Sequence, residues 1–304
     1  MANVTNESDP TVTRSTLILG AGFSGKAYGA LLAAHGQTVY GTTRSKDKAA
    51  ALEAVGIKAL IFDGSGSNDA LAQALSTVSD LVVSIAPDEA GDPVLNALAD
   101  SLADARHLQW VAYLSTVGVY GNHDGAWVDE TTVPKPVSKR SIWRVNAEAA
   151  WQDWAHRRAL PLAILRLSGI FGPGRNGLVT LSEGRARRLL KKDQVFNRIH
   201  VHDIARALDF LSGRRAGGIY NVTDDLPAPP QDVVAYAASL MKIDPPDEID
   251  FETATLSPMA RSFYGENKRV SNAKIKEAGF DFHYPNYKDT FARMWAENTW
   301  QKPD

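Results

Sequence analysis

Gly20, Gly22 and Gly25 stand in the string Gly20-Ala21-Gly22-Phe23-Ser24-Gly25, a G-x-G-x-x-G spacing that suits the capture of a pyrophosphate. Gly20 allows a tight turn, Gly22 keeps a Cβ out of the space between backbone and phosphate, and Gly25 lets the next helix pack on the preceding strand. A helix opening at Phe23 and Ser24 presents unpaired N–H groups and partial positive charge to the phosphates. The bland reading is a glycine-rich turn, but strand, turn, helix and second strand fall in register here. An NAD site would carry Asp or Glu about 20 residues beyond the glycines, to bind the ribose 2′-hydroxyl. Position 44, 19 residues beyond Gly25, falls instead in Gly41-Thr42-Thr43-Arg44-Ser45-Lys46, with no acid before Asp47. Arg44, helped by Ser45 or Lys46, suits a 2′-phosphate, so the expected cofactor is NADP rather than NAD. A surface arginine is the alternative.

These groups need strands and helices to place them. Short apolar or β-branched runs alternate with Ala/Leu-rich stretches of helical length, which predicts an α/β fold with a doubly wound parallel sheet, the Rossmann fold. The predicted strands are Thr16 to Leu19, Thr38 to Tyr40, Ala59 to Phe62, Leu81 to Ile85, Trp110 to Leu114 and Ala163 to Leu167. The predicted helices are Gly25 to Ala34, Lys46 to Ala54, Ala70 to Ser76, Pro93 to Ala105 and Ser141 to Arg157. The texture changes after Gly172. The expected division is a frayed tail over 1–14, a dinucleotide-binding domain over 15–172 to which a segment near 198–222 returns, and a smaller C-terminal substrate lobe from 173–197 and 223–304. The basic run Arg185, Arg187, Arg188, Lys191 and Lys192 reads as a solvated helix face, with contact to a phosphorylated ligand as the alternative.

Composition bounds the function. The chain has 304 residues, 33 Lys and Arg against 35 Asp and Glu, and no cysteine. The balanced charge and the lack of a basic-aromatic stripe argue against a nucleic-acid partner. The missing cysteine excludes thiol nucleophiles and thiolate metal sites, and no other metal site is expected, since His200 and His202 lack an evident third ligand. The polar start of the chain and apolar runs of five or six residues predict no secretory signal and no membrane span, hence a cytoplasmic protein.

Taken together, the motifs resemble the extended short-chain dehydrogenase/reductase superfamily, the NAD(P)-dependent epimerases and dehydratases, over roughly residues 14 to 290. They are the glycine turn, Phe62-Asp63, Ser84-Ile85-Ala86-Pro87, Leu114-Ser115-Thr116-Val117-Gly118-Val119-Tyr120-Gly121, Arg166-Leu167-Ser168-Gly169-Ile170-Phe171-Gly172-Pro173-Gly174, Arg198-Ile199-His200-Val201-His202-Asp203-Ile204, Lys268-Arg269-Val270-Ser271-Asn272 and Tyr284-Pro285. The resemblance implies that Asp63 binds the adenine and that Ser84, Ala86 and Pro87 line the cofactor near its ribose. It makes Thr116 the hydroxyl that donates to a substrate oxygen, with a structural helix cap as the alternative. It also suggests a homodimer, by analogy alone.

The pattern breaks at the proton donor. The family's Y-x-x-x-K is aligned by a following Glu, here Glu148, so Arg144 occupies the Lys position and Arg140 the Tyr position. No Tyr lies between Tyr120 and Tyr220; the string Tyr264-x-x-x-Lys268 falls in the second lobe and reads as coincidental. Arginine stays protonated and cannot exchange a proton as Tyr does. Arg144 is the candidate fixed charge near the nicotinamide ribose, while Arg140, Arg175 and His200 are candidate substrate contacts. Tyr120, His123, Asp124, His200 and His202 are the remaining acid–base candidates, each with a structural alternative; His123 is the attractive one, because imidazoles exchange protons near neutrality. The expected function is an NADP-dependent oxidoreductase or epimerase/dehydratase-like enzyme acting on a small polar substrate, anionic or uncharged, with a non-standard active site. The alternative is an NADP-binding sensor or interaction protein with little or no catalysis.

Overall fold

The computed structural model describes residues 14–302. Seven strands form one parallel sheet: β1 (Ser15–Leu19), β2 (Thr38–Thr43), β3 (Lys58–Ile61), β4 (Asp80–Val83), β5 (Trp110–Thr116), β6 (Leu162–Leu167) and β7 (Gly218–Val222). Their order across the sheet is β7-β6-β5-β4-β1-β2-β3. The direction of winding reverses between β1 and β4, and ligands of such sheets bind at that switch point. The fold is therefore the doubly wound α/β arrangement expected from the sequence.

The strands are buried on both faces, which explains their nearly unbroken apolar runs. Alternation along β1 sends Ile18 into one core and Leu17 and Leu19 into the other. On the Ile18 side, α1 (Phe23–Ala34) packs against a helix over Val201–Gly213, and Tyr28, Leu32, Ile204 and Leu208 fill the layer. On the same side α2 (Lys46–Glu53) lies at the β2–β3 edge, while on the other side α3 (Asp69–Thr77) and α4 (Lys139–Arg157) supply Leu71, Leu75 and Trp151. Leu52 of α2 belongs to the Ile18 core, so α2 caps the end of that layer.

Several sequence expectations need correction. The helix predicted over Pro93 to Ala105 is two, Pro93–Ala97 and Ala99–Asp104, separated at Leu98 with φ −118° and ψ 20°. This bend still lets Leu98 accept from Leu102 N–H (2.8 Å) and buries Val94, Leu98 and Leu102 together. β2 runs three residues past Tyr40, because Gly41 to Thr43 continue to pair with β3. The strand β7 was not among the six predicted. Residues 1–13 of the expected tail lie outside the described residues, but Arg14 is fixed: its guanidinium meets the buried Asp80 carboxylate at 3.1 Å.

The second lobe has its own core, built from Leu178, Val233, Ala237, Phe291 and Met294 and extended by Leu189, Phe251 and Tyr264. The segment around Ala273–Glu277 does not join it: Ile275, Phe280 and Phe282 pack in the Ile18 layer of the sheet, a return that the expected boundaries did not include. The basic run is not a helix face either, since Arg188–Leu190 is a short strand paired with Glu248–Asp250. Arg187 donates to Thr255 O (3.0 Å) and Arg188 to Glu248 (2.5 Å), so these cations tie the lobe's loops together. No helix among the described residues is long and apolar enough to cross a membrane.

Candidate functional site

The glycine turn takes the shape its residue types require. Gly20 has φ +90°, and a Cβ there would lie 2.9 Å from Ile85 Cγ1 and 3.1 Å from Ile85 N, so the first glycine allows both the turn and the approach of the chain leaving β4. A Cβ on Gly25 would sit 2.9 Å from both Gly20 O and Ile18 Cγ2, which brings α1 down onto β1. Gly22 is different: nothing among the described residues lies within 4 Å of its Cβ position, and it is exposed at the start of α1. The first N–H groups of a helix have no acceptor within the helix, and no side chain caps α1. Space, open backbone and donors coincide at one point, the arrangement a pyrophosphate needs.

Thr42, which the sequence reading passed over, holds this turn from the side. Its Oγ1 accepts from Gly20 N–H (2.8 Å) and its carbonyl accepts from Ala21 N–H (2.9 Å). Only the extension of β2 brings it there. Just beyond it Arg44 is exposed, and Ser45 stands as N-cap of α2 with no side-chain cap hydrogen bond, leaving its hydroxyl available beside the helix N-terminus. Asp63 is exposed after β3, where hydrogen bonds from the Ser65 hydroxyl (2.6 Å) and N–H (2.9 Å) hold its carboxyl below the usual carboxylate range.

From this turn a cleft of about 1260 Å³ runs between the sheet's carboxyl edge and the second lobe. Ser24, Ser84, Ala86, Pro87, Thr116, Arg140, Arg144 and Arg175 all border it. Thr116 ends β5 and caps the short helical turn Val117–Tyr120, its Oγ1 accepting from Gly118 N–H (3.1 Å). That bond uses an oxygen lone pair and leaves the hydroxyl proton to donate elsewhere. The Arg144 guanidinium is held by Leu114 O (2.6 Å) and the Tyr113 hydroxyl (3.1 Å). Arg175 lies over the Phe23 ring at 5.8 Å, which ties it to the glycine turn rather than to the far lobe.

The other candidates point elsewhere. Tyr120 is fully buried; its hydroxyl donates to Asn221 Oδ1 (2.7 Å), and burial raises its pKa. The His123 ring meets Tyr120 O at 3.1 Å, away from the cleft lining. His200 is 1% exposed and stacked on Tyr284 at 3.7 Å. Burial pushes its pKa down to about 3, keeping the ring neutral, and its Nδ1 accepts from His202 N–H (3.3 Å). These three side chains are part of the packing. Among the described residues no cluster of His and acids suits a metal ion.

Behind the cleft lies a buried network. Glu148 accepts from Ser115 Oγ (2.5 Å) and from Arg166 Nε (3.2 Å) and Nη2 (2.8 Å), and the Arg166 guanidinium covers the Tyr120 ring at 4.9 Å. It joins α4 to β5 and β6 next to Thr116. On the second-lobe side, Arg198, Tyr264 and Lys268 also line the cleft, so the Tyr264-x-x-x-Lys268 string set aside as coincidental borders the site.

Comparison with known proteins agrees with this geometry. A model of the NAD dependent epimerase/dehydratase family matches residues 16–223. A conserved Silicibacter pomeroyi protein of unknown function is 45% identical, with a TM-score of 0.85 over 94% of this chain and 99% of that one. A Methylobacillus flagellatus protein described provisionally as an NAD-dependent epimerase/dehydratase is 27% identical, with a TM-score of 0.72 over 94% and 99%. The dTDP-glucose 4,6-dehydratase of Bacillus anthracis, solved in complex with NAD, shares the fold at 17% identity, with a TM-score of 0.75 over 95% and 98%. No curated protein matches the chain.

Proposed function

The chain belongs to the NAD dependent epimerase/dehydratase family, whose members bind NAD(P), and from that premise we propose that it is an NADP-dependent oxidoreductase acting on a small anionic substrate in the cleft beside Thr116. The observation that carries this reading is the empty space over Gly22 at the uncapped start of α1, two residues before Ser24, which borders the same cleft as Thr116. When bound, the dinucleotide supplies the hydride chemistry. The protein's part is to bind and orient. Gly22 and the first N–H groups of α1 hold the pyrophosphate, Asp63 the adenine, and Ser84, Ala86 and Pro87 flank the ribose. Arg44 and Ser45 take the 2′-phosphate, aided by the N-terminus of α2.

Thr116 donates a hydrogen bond from its hydroxyl to a substrate oxygen, and Gly118 N–H fixes the orientation of that hydroxyl; the proton that the reduced oxygen takes up comes from solvent. Arg144 supplies a fixed positive charge, with its guanidinium position set by Leu114 O and Tyr113. Two tests follow. Arg44→Asp reverses the preference between NADPH and NADH, because a charge-assisted contact of roughly 1.5–3 kcal/mol becomes a repulsion; an unchanged ratio in a fluorescence titration would refute the 2′-phosphate assignment. With deuterium-labelled NADPH and a panel of anionic carbonyl compounds, stereospecific label loss is expected, and Thr116→Val slows it roughly 100-fold.

A second reading has an observation of its own. Arginines stand at both positions where this family carries its proton-exchanging pair, which favours an NADP sensor without turnover. Tight NADPH binding with no label transfer to any compound of the panel would select that reading.

A further inference from the structure

Among the described residues the cleft is lined by six cations, Lys139, Arg140, Arg144, Arg175, Arg198 and Lys268, and by one carboxylate, that of Glu266. Several of these have partners that account for them. Arg144 is held by Leu114 O and Tyr113, and the Lys268 ammonium donates to Gly121 O (2.8 Å) and Glu266 (2.6 Å). Arg175 covers Phe23 at the glycine turn.

Arg198 is not accounted for. It rises on the second-lobe wall with Nη1 bonded to Phe196 O (2.9 Å) and Ala228 O (3.3 Å) and its guanidinium over the Tyr287 ring at 5.8 Å. It makes no ion pair among the described residues, and its remaining N–H groups have no protein acceptor there. The acid that acts on it, Asp224, makes no hydrogen bond or ion pair with its guanidinium, and burial pushes that carboxyl up to about 8. A desolvated charge without a counterion is costly, and a ligand that brings the opposite charge removes that cost. Next to it Tyr264 is clamped by Phe251 (4.9 Å, stacked) and Phe196 (5.1 Å, edge-on), and within range of the Arg198 charge. Its hydroxyl has no hydrogen-bond partner among the described residues.

We propose that Arg198 and Tyr264 form the anion-binding subsite of the substrate, receiving a carboxylate or phosphate group on the second-lobe wall of the cleft. This rests on the reading of the cleft as the cofactor and substrate site, and it assigns substrate recognition to two residues that the motifs do not single out for it. A planar guanidinium already anchored through one nitrogen, beside a rigid hydroxyl donor, matches two oxygens of one anionic group. The substrate class is then a small carbonyl or hydroxy compound with one acidic group away from the reacting carbon.

The test is calorimetric titration of malonate and of inorganic phosphate into the full chain saturated with NADPH, so that the cofactor's phosphate sites are filled. Wild type binds at least one probe, and the preferred probe distinguishes carboxylate from phosphate. Arg198→Met and Tyr264→Phe each weaken that binding about tenfold or more, with NADPH affinity kept within about twofold. Wild type binding neither probe, or both variants binding as wild type does, overturns the proposal. Should Arg198→Met not fold, Tyr264→Phe decides, because it keeps both ring contacts. If the chain takes up no NADPH, the cofactor reading fails by itself, and the variants' effect on anion affinity still reads the subsite.

Discussion

Glu148→Ala lowers the unfolding free energy by about 3–5 kcal/mol, the usual cost of removing one partner from a buried ion pair. The side chains of Glu148 and Arg166 are 5% and 3% exposed, and they meet at 2.8 Å. Burial works against the Arg166 charge, and Glu148 outweighs it, so the guanidinium stays protonated. Without Glu148, the guanidinium is left among Tyr120 and Ser115 with no counterion. The effect reaches the site, since Ser115 immediately precedes Thr116 and loses its acceptor as well. Urea unfolding at pH 7 measures the loss. Replacing both partners with apolar residues of similar volume, Glu148→Leu with Arg166→Met, restores most of the stability. A single-variant loss below about 1 kcal/mol would mean that the pair does not organise the carboxyl ends of β5 and β6.

Gly22→Val weakens NADPH binding about 100-fold or more while leaving the fold intact. The two halves of this expectation come from one observation. Among the described residues nothing lies within 4 Å of the Gly22 Cβ position, and its φ of −77° is outside the left-handed region that favours glycine, so a side chain starts there without a clash. The new methyl groups instead occupy the space assigned to the pyrophosphate, in front of the N–H groups that would bind it. Circular dichroism and the unfolding midpoint stay near wild type, and the loss appears in cofactor titration alone. Gly25→Ala makes a useful contrast, since its Cβ would fall 2.9 Å from a backbone oxygen and disturb the turn itself.

What could be read from the sequence follows from how local each feature is. The glycine turn was legible because its chemistry lies in backbone conformation and in adjacent residues. β1, β4, β5 and β6 were legible because burial on both faces leaves continuous apolar runs. β7 escaped notice because it opens on Gly218 and carries Tyr220 and Asn221, a pattern set by its place at the sheet edge. The break at Leu98 is a matter of one dihedral pair, which no residue type there announces. Motif position alone does not say which way a side chain turns: Thr116 borders the cleft, whereas Tyr120, four residues on, turns inward to Asn221. His200 likewise looked available and is walled in by Tyr284 and Phe171. Arg198 and Tyr264 are far apart in the chain, and only the packing of Phe196 and Phe251 around the Tyr264 ring brings them to one wall.

Titration of the purified full chain with NADPH and NADH, followed by nicotinamide fluorescence, decides whether the cleft beside the glycine turn is an NADP site. Saturable one-site binding is expected, with NADPH at least tenfold tighter than NADH because Arg44 and Ser45 contact the 2′-phosphate. Binding of neither dinucleotide would overturn the assignment of the cleft, and equal affinities would leave a dinucleotide site without the NADP preference.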